Sequence, residues 1–497
     1  MGCWSRDLRL ILARSQHSAT LSDMTKKHTS PVTPPLTLEQ AHEMIHKLME
    51  RIAELEDRLK QNSGNSSKPP SSDGPGGIPP ARPRKRSGKQ RGAQPGHQGQ
   101  RRQRHPQDER VSVTPYFPAA ECACCGGNML NHTKPHRVHQ VFDLPEVSYF
   151  VTEHQLFRAT CTRCINTDEA MLPDTVSHTQ MGTNLLSYIA LQSGQFHQSI
   201  SQIQRQLQQH FGLHFSRGAI SEAQGRVSAM LTPTYQAIKQ QVQSAPHIHA
   251  DETRHQRGGE RRWMWLALSK VAVCFMTAFG RGQDAARRLL GELPETSALV
   301  TDQYAGYRFV ATEQRQLCWA HVARNVAAIA DSSEQVNHPV GARLVLLADM
   351  VFRTRHRWEN GKLKHEQYLR RLRRCRQSWR VQLERGMMLC SSRYRGRCRF
   401  LLQDDDMLWT FLTDDRLALT NNEAERALRG YVLWRKGSYG VWSQRGELFR
   451  QRILSLVETA KRLGRCPQQW LRSVIRACIE KTDYPIPEEL CVSSHSG

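Results

Sequence analysis

The chain is short of acid relative to base, has no long apolar run and shows no disulfide framework. Its 497 residues hold 46 Asp plus Glu against 70 Lys plus Arg, a formal net charge of +24. Solubility alone is served as well by acidic residues. An excess of this sign and size therefore points to a polyanionic partner, with nucleic acid first. No stretch of roughly 18 consecutive apolar residues occurs, so no membrane span is expected. LRLIL at 8–12 is too short for a signal core and leads to no small-residue cleavage site, so no secretory signal is expected either. Of 14 cysteines only four stand in paired C-x-x-C spacing and the rest are scattered. That favours a reduced, cytoplasmic setting with a metal site. The length suggests about three domains plus linkers.

Residues 1–35 are expected to be poorly ordered, with Met24 an alternative start. Residues 36–61 read as a helix with a heptad seam: Leu38, Ile45, Ile52 and Leu59 recur every seven residues, and Ala41, Leu48 and Leu55 follow three later. This a/d pattern predicts a coiled coil joining copies of the chain, the alternative being a helix packed on its own protein. Residues 62–110 are rich in Ser, Gly, Pro and base and cannot form a core. Within this linker Arg84, Lys85 and Arg86 are candidate DNA-binding residues, able to lie along phosphates through counterion release.

Cys122 and Cys125, then Cys161 and Cys164, can supply four thiolates to one tetrahedral structural Zn²⁺. HRVHQVFDLP and SYFVTEHQLFRATC between them read as strands, so residues 111–175 are expected to form a zinc ribbon. Cys124 lies inside the first pair and blurs which thiols bind. Residues 176–240 read as three helical pieces, with Gly212 ending the second and Ser216 capping the third. A helix-turn-helix DNA reader and an ordinary helical bundle both fit.

HIHADETRH at 247–255 is an apolar-and-His run ending in Asp251, with a polar turn expected after it. RRWMWLALSK and VAVCFMTAF read as strands, residues 281–290 as a helix, SALVTD at 297–302 as a strand ending in Asp302, and QLCWAH at 316–321 as a strand leading into a helix. Strands alternating with helices, with acids at strand ends, describe an α/β sheet with its site at the carboxyl edge. Residues 331–415 turn all-α and Arg-rich and are expected to be an insertion with a basic, DNA-facing surface. Then comes TNNEAERALRGYVLWRKGSYG at 420–440, where Thr420 or Asn421 can cap a helix carrying Glu423, Glu425, Arg426 and Arg429. The fold class read from the sequence is thus multidomain α/β, with a coiled coil, a zinc ribbon and a helical region before the core.

In order, NSSKPPSSDG at 65–74, GAQPGHQG at 92–99, the two C-x-x-C pairs around QVFDLP, HADET at 249–253, TDQYAGY at 301–307, CWAH at 318–321, NNEAERALR at 421–429 and SLVETAKRLG at 455–464 resemble transposases of the insertion-sequence-66 family. The resemblance implies a ribonuclease-H-like core over 241–330 and 416–464, split by the insertion, with a helical tail at 465–497. It places Asp251, Asp302 and Glu425 as an Asp-Asp-Glu site binding Mg²⁺ or Mn²⁺. Arg426 and Arg429 become candidates for phosphate contact, and Cys318 and His321 a supporting pair. Adjacent strand residues point to opposite faces, which disfavours Glu252. Glu423, two residues from Glu425, cannot share its helical face. The family favours Gly where Gln303 stands, so the turn after Asp302 is expected to differ here. The implied activity is metal-dependent hydrolysis at the ends of a bacterial insertion sequence, then strand transfer of the 3′-hydroxyl into target DNA. The implied partners are double-stranded DNA (terminal inverted repeats and target), further copies of the chain and accessory proteins of the same element, with no membrane, in a cytoplasmic, nucleoid-associated location. The rivals are a zinc-containing DNA-binding protein without chemistry and a nuclease that cuts but does not join.

Overall fold

The computed structural model describes residues 37–66, 104, 106–109, 111–142, 144 and 149–491. The proposed phosphate-binding residues Arg84, Lys85 and Arg86 lie outside these. Helix α1 (Leu38–Leu59) opens on a capping box in which Thr37 and Gln40 satisfy each other's backbone amides. Its seam residues Leu38, Ile45, Leu48, Ile52, Leu55 and Leu59 are exposed. Its C-terminal end is pinned to the insertion: the buried Asp57 carboxylate accepts from Ser333 N at 2.8 Å and Tyr394 Oη at 2.8 Å.

In the Cys-rich region the strands read around VFDLP and SYFVTEH do not form among the described residues. Only the three-residue strands β1 (Arg158–Thr160) and β2 (Thr167–Glu169) pair, antiparallel. The reason is burial. Leu130, Val141, Phe150 and Phe157 stand exposed, so an alternating pattern has no core to face.

Four helices follow, not three: α2 (Thr183–Gly194), α3 (Ile200–Phe211), α4 (Arg217–Met230) and α5 (Thr232–Gln243). Gly212 ends α3 in the left-handed conformation at φ 67°, and Ser216 caps α4 through Ala219 N. Ile220, Ala223 and Val227 of α4 are buried in the same apolar core as the sheet.

That sheet has five strands: β3 (His247–Arg257), β4 (Glu260–Leu268), β5 (Val273–Ala278), β6 (Ala298–Thr301) and β7 (Arg315–Leu317), in the order β5-β4-β3-β6-β7. β3, β4 and β5 form an antiparallel meander, while β6 and β7 run parallel to β3. Helix α6 (Gln283–Leu290) leads into β6. The polar turn expected after Glu252 is absent. β3 continues to Arg257 and turns at Gly258-Gly259, both at positive φ, as a two-residue hairpin requires. Its polar residues Arg254 and Gln256 face solvent, so the alternation of a half-buried strand is kept. Asp251 therefore sits within β3, just past its last pairing with β6 at His249.

Helices α7 (Trp319–Ala330), α8 (His338–Glu359), α9 (His365–Leu389), α10 (Ser392–Gln403) and the short α11 (Asp405–Leu408) build a second core around Trp319, Trp379 and Trp409. Part of its arginine surface is neutralised: Arg376 pairs with the buried Asp405 at 3.0 Å and also with Asp406, while Arg370, Arg371, Arg373 and Arg374 stay exposed. The chain returns through α12 (Asn422–Ser438), α13 (Gln444–Arg462) and α14 (Pro467–Glu480), and α13 packs on β5. Among the described residues no helix is long and apolar enough to cross a membrane.

Candidate active site

Period-two alternation along β3 puts His249, Asp251 and His255 on the face that meets α12. Glu252 points the other way. Arg281 binds its carboxylate at 2.6 Å and Tyr307 Oη donates to it at 2.7 Å. Burial, then the Asp302 charge, raises the Glu252 carboxyl, and the tyrosine and arginine oppose that rise.

Three ties fix α12 in register along β3. Asn421 Nδ2 donates to Ala250 O at 2.8 Å, and its Oδ1 lies 3.2 Å from His249 Nδ1. Tyr431 Oη bonds His255 Nδ1, and Val441 N donates to Gln256 O at 3.0 Å. From Asn421 to Tyr431 the helix rises about 15 Å; from Ala250 to His255 the strand advances about 17 Å. The match means the two elements run side by side without slippage. Glu425, one turn beyond Asn421, is thereby brought near enough for its charge to act on Asp251. Asn421 stands at the N-cap position as expected, but its side chain does not cap; it is spent on β3.

The return from the insertion is clamped in the same way. His247 Nε2 meets Asp414 at 2.7 Å, Trp319 N donates to Leu419 O at 2.9 Å, and Asn421 N donates to the buried Cys318 Sγ at 3.1 Å. Cys318 is thus a backbone anchor, and burial pushes its thiol up. His321, one turn along α7, puts Nε2 3.7 Å from Glu425 Oε1, with Arg324 Nη2 at 3.9 Å. Burial, then the Arg324 charge, lowers the His321 pKa and favours the neutral ring. Asp302 ends β6. Its Oδ1 accepts from Tyr304 N at 2.9 Å, and Arg315 from β7 holds its carbonyl at 2.9 Å. Gln303 uses its extra length to accept from Asn325 Nδ2 at 2.6 Å, tying the turn to α7.

The electrostatics single out Asp251. Burial raises its carboxyl well above the ordinary range, and the charges of Glu252, Asp302 and Glu425 add to the rise. Glu425 Oε1 is buried without a hydrogen-bond partner. A crowd of carboxylates with an orphaned oxygen fits a hard divalent cation, which takes oxygen ligands. The side chains stand open: among the described residues no three His, Cys, Asp or Glu groups converge to metal-holding distance. The other acids are engaged elsewhere. Glu423 pairs with Arg462 at 2.9 Å, and Asp405 and Asp414 hold arginine, tryptophan and histidine. Arg426 and Arg429 are exposed on α12.

The two C-x-x-C pairs form matching turns. Cys122 N donates to Gly127 O and Gly126 N to Cys122 O; Cys161 N donates to Asn166 O and Ile165 N to Cys161 O, all at 2.7–2.9 Å. Gly126 and Ile165 occupy equivalent left-handed positions at φ 72° and 61°. Backbone amides at Cys124 and Cys125, and at Cys164 and Arg163, lower the Cys122 and Cys161 thiols, as a thiolate site requires. Cys124 serves the turn through its amide. With its large apolar side chains exposed, this region lacks a core to fold on, which is the situation of a metal-stabilised module. Chelating zinc, or Cys161→Ser, is expected to abolish amide-exchange protection over 157–170 and leave β3 and β4 protected. Unchanged protection in the ribbon would contradict a zinc-held fold.

Sequence reasoning missed His247, His249, Asn421 as a strand anchor, and the buried Tyr431–His255–Glu447 contact. HIHADET and NNEAER carried the signal for the first three. For the last, no local pattern pairs residues this far apart.

Three family patterns match the chain: Transposase IS66 family over residues 178–447, zinc-finger binding domain of transposase IS66 over 120–164, and a family of unknown function over 35–103. Curated relatives from Sinorhizobium fredii (strain NBRC 101917 / NGR234) include the uncharacterized protein y4hP, 24% identical over 78% of this chain and 75% of its own. The uncharacterized protein y4jD is 24% identical over 72% and 74%. The first pattern spans more than half of the sequence and contains Asp251, Asp302 and Glu425, and the second contains both cysteine pairs; the chain belongs to the transposase IS66 family.

Proposed function

We propose that this transposase is an Asp-Asp-Glu enzyme that cuts DNA at the ends of its own element and joins the freed ends to a target. The observation that supports the reading is the registered docking of α12 on β3, with the charges of Asp302 and Glu425 both raising the Asp251 carboxyl. A five-stranded mixed sheet with the first acid on its central strand supports a ribonuclease-H-like core.

Asp251, Asp302 and Glu425 are the residues that would hold Mg²⁺ or Mn²⁺. Such ions supply an activated water and a stabilised leaving oxygen for phosphoryl transfer. The protein's part is placement. Arg315 and Tyr304 fix the Asp302 turn, and Asn421 and Cys318 fix the start of α12. Neutral His321 beside Glu425 leaves that carboxylate's charge available. Arg426 and Arg429 meet backbone phosphate. In the first step a water oxygen bonds to phosphorus and the 3′ oxygen leaves as a hydroxyl. In the second that hydroxyl attacks a target phosphodiester, displacing its 3′ oxygen, so one geometry serves both steps. The zinc ribbon and the basic linker hold DNA, and the exposed α1 seam pairs copies of the chain, in the bacterial cytoplasm with accessory proteins of the element.

The test is transfer of pre-cut element ends into a plasmid with Mg²⁺. Joined product supports the reading. Cutting without joining would make the protein a nuclease, and neither activity, with accessory proteins supplied, would leave a DNA-binding protein.

A further inference from the structure

The turn that follows α12 carries two aromatic side chains for which the carboxylate site has no use. Tyr439 is 79% exposed and Trp442 90%. Large aromatic rings normally contribute their area to a core or an interface, so two on one turn call for a ligand. The turn is braced. Tyr439 holds a left-handed conformation at φ 60°, with its N–H on Arg435 O at 2.9 Å. At Gly440, φ 116°, a Cβ would stand 2.3 Å from Gln256 O, so only glycine passes so close to β3. Val441 then bonds Gln256 O, and Gly258 N donates to Val441 O at 2.8 Å, adding a parallel bridge to the end of β3. The left-handed residue is the C-cap of α12, so the helix end and the strand end together hold the turn rigid.

The unpaired charge nearby is basic. Arg254 and Arg261 on the β3–β4 hairpin and Lys436 on α12 are exposed cations. The nearby acids Glu260 and Glu447 are already paired, with Arg262 and Arg257. Bases stack on aromatic rings whatever their identity, and cations beside such rings track the phosphates. From Asp251 to Gln256 the strand advances about 17 Å, so the turn braced on Gln256 stands well apart from the carboxylates.

We propose that Tyr439 and Trp442 form a stacking platform for unpaired bases of the bound DNA, a few nucleotides from the phosphate at Asp251. This rests on the reading of Asp251 as the cleavage centre. It adds a second, rigidly linked point of contact that selects DNA whose strands have come apart.

The test uses the full-length protein without added Mg²⁺ and two DNA probes of about 30 base pairs. One is fully paired; the other has an unpaired fork of about five nucleotides containing 2-aminopurine. Wild type is expected to bind the fork at least about tenfold more tightly than the duplex and to change the 2-aminopurine fluorescence. The double variant Tyr439→Ala, Trp442→Ala should bind the duplex like wild type, lose the fork preference to within about twofold, and leave the fluorescence unchanged. Both residues are exposed, so an unchanged melting curve is expected and checks folding. A preference retained in the double variant, or equal loss on both probes, overturns the platform. So does a change in oligomeric mass in its place, which would make the turn a contact between copies. Duplex binding by wild type without fork preference sinks the platform alone. Failure of wild type to bind either probe sinks the DNA reading with it.

Discussion

Asp251→Asn is expected to lose cleavage by on the order of 10³-fold or more while binding DNA as well as wild type, or slightly better. The substitution keeps the shape of the side chain and removes a negative charge from the middle of β3. Phosphate contacts come from cations, so affinity has no reason to fall. The same variant should be more stable when metal is absent. Burial, Glu252, Asp302 and Glu425 raise the Asp251 carboxyl well above the usual carboxylate range. A carboxyl raised in the folded state favours folding while protonated, fully so below its unfolded pKa, and that advantage is lost as pH rises through the folded value. At pH 8 the carboxyl therefore costs stability, and asparagine does not. Metal-free Asp251→Asn should gain about 0.5–2 kcal/mol there, with the difference shrinking toward pH 4. Thermal melting in chelator at the two pH values measures it. A variant less stable at pH 8 than wild type would mean that the carboxylate is already compensated.

Asn421→Ala should also damage activity, by about 100-fold, although its side chain is directed to the strand backbone. The side chain occupies the buried junction between β3 and α12, bonding Ala250 O and His249. Removing it leaves two buried polar groups without that partner, at about 1–3 kcal/mol, and frees the first turn of the helix that carries Glu425. A shift of about 1 Å in a catalytic group can cost about 100-fold. The expected result is a drop of that size in cleavage, partly restored by raising Mn²⁺, with DNA affinity unchanged. Activity within a few-fold of wild type would show that Asn421 does not set the position of Glu425.

Local chemistry made much of this legible. The heptad seam predicted a helix over 36–61, and α1 occupies Leu38–Leu59. The apolar run before Asp302 is β6, and Gly212 and Ser216 punctuate α3 and α4 as their chemistry requires. Misreadings came where tertiary contact decides. The second half of HIHADETRH looked like a turn because its residues are polar, yet pairing with β4 keeps it extended. Apolar alternation near VFDLP looked like strand, but nothing covers it. QLCWAH splits after Leu317, because Cys318 starts α7 and accepts the amide of Asn421. The placement of Glu425 relative to Asp251 depends on His247 meeting Asp414 and His249 meeting Asn421 across the whole insertion. No window of sequence displays such a contact, and the family resemblance alone anticipated the third acid.

The most direct measurement is anomalous scattering from Mn²⁺ in crystals of the protein bound to DNA. The three carboxylates should share the metal when DNA supplies the remaining oxygens. The expected result is density about 2.2 Å from carboxylate oxygens of Asp251, Asp302 and Glu425 together, beside a DNA phosphate. Density held by Glu252 or by the Asp404–Asp406 cluster, or a site from which any of the three is missing, would contradict it.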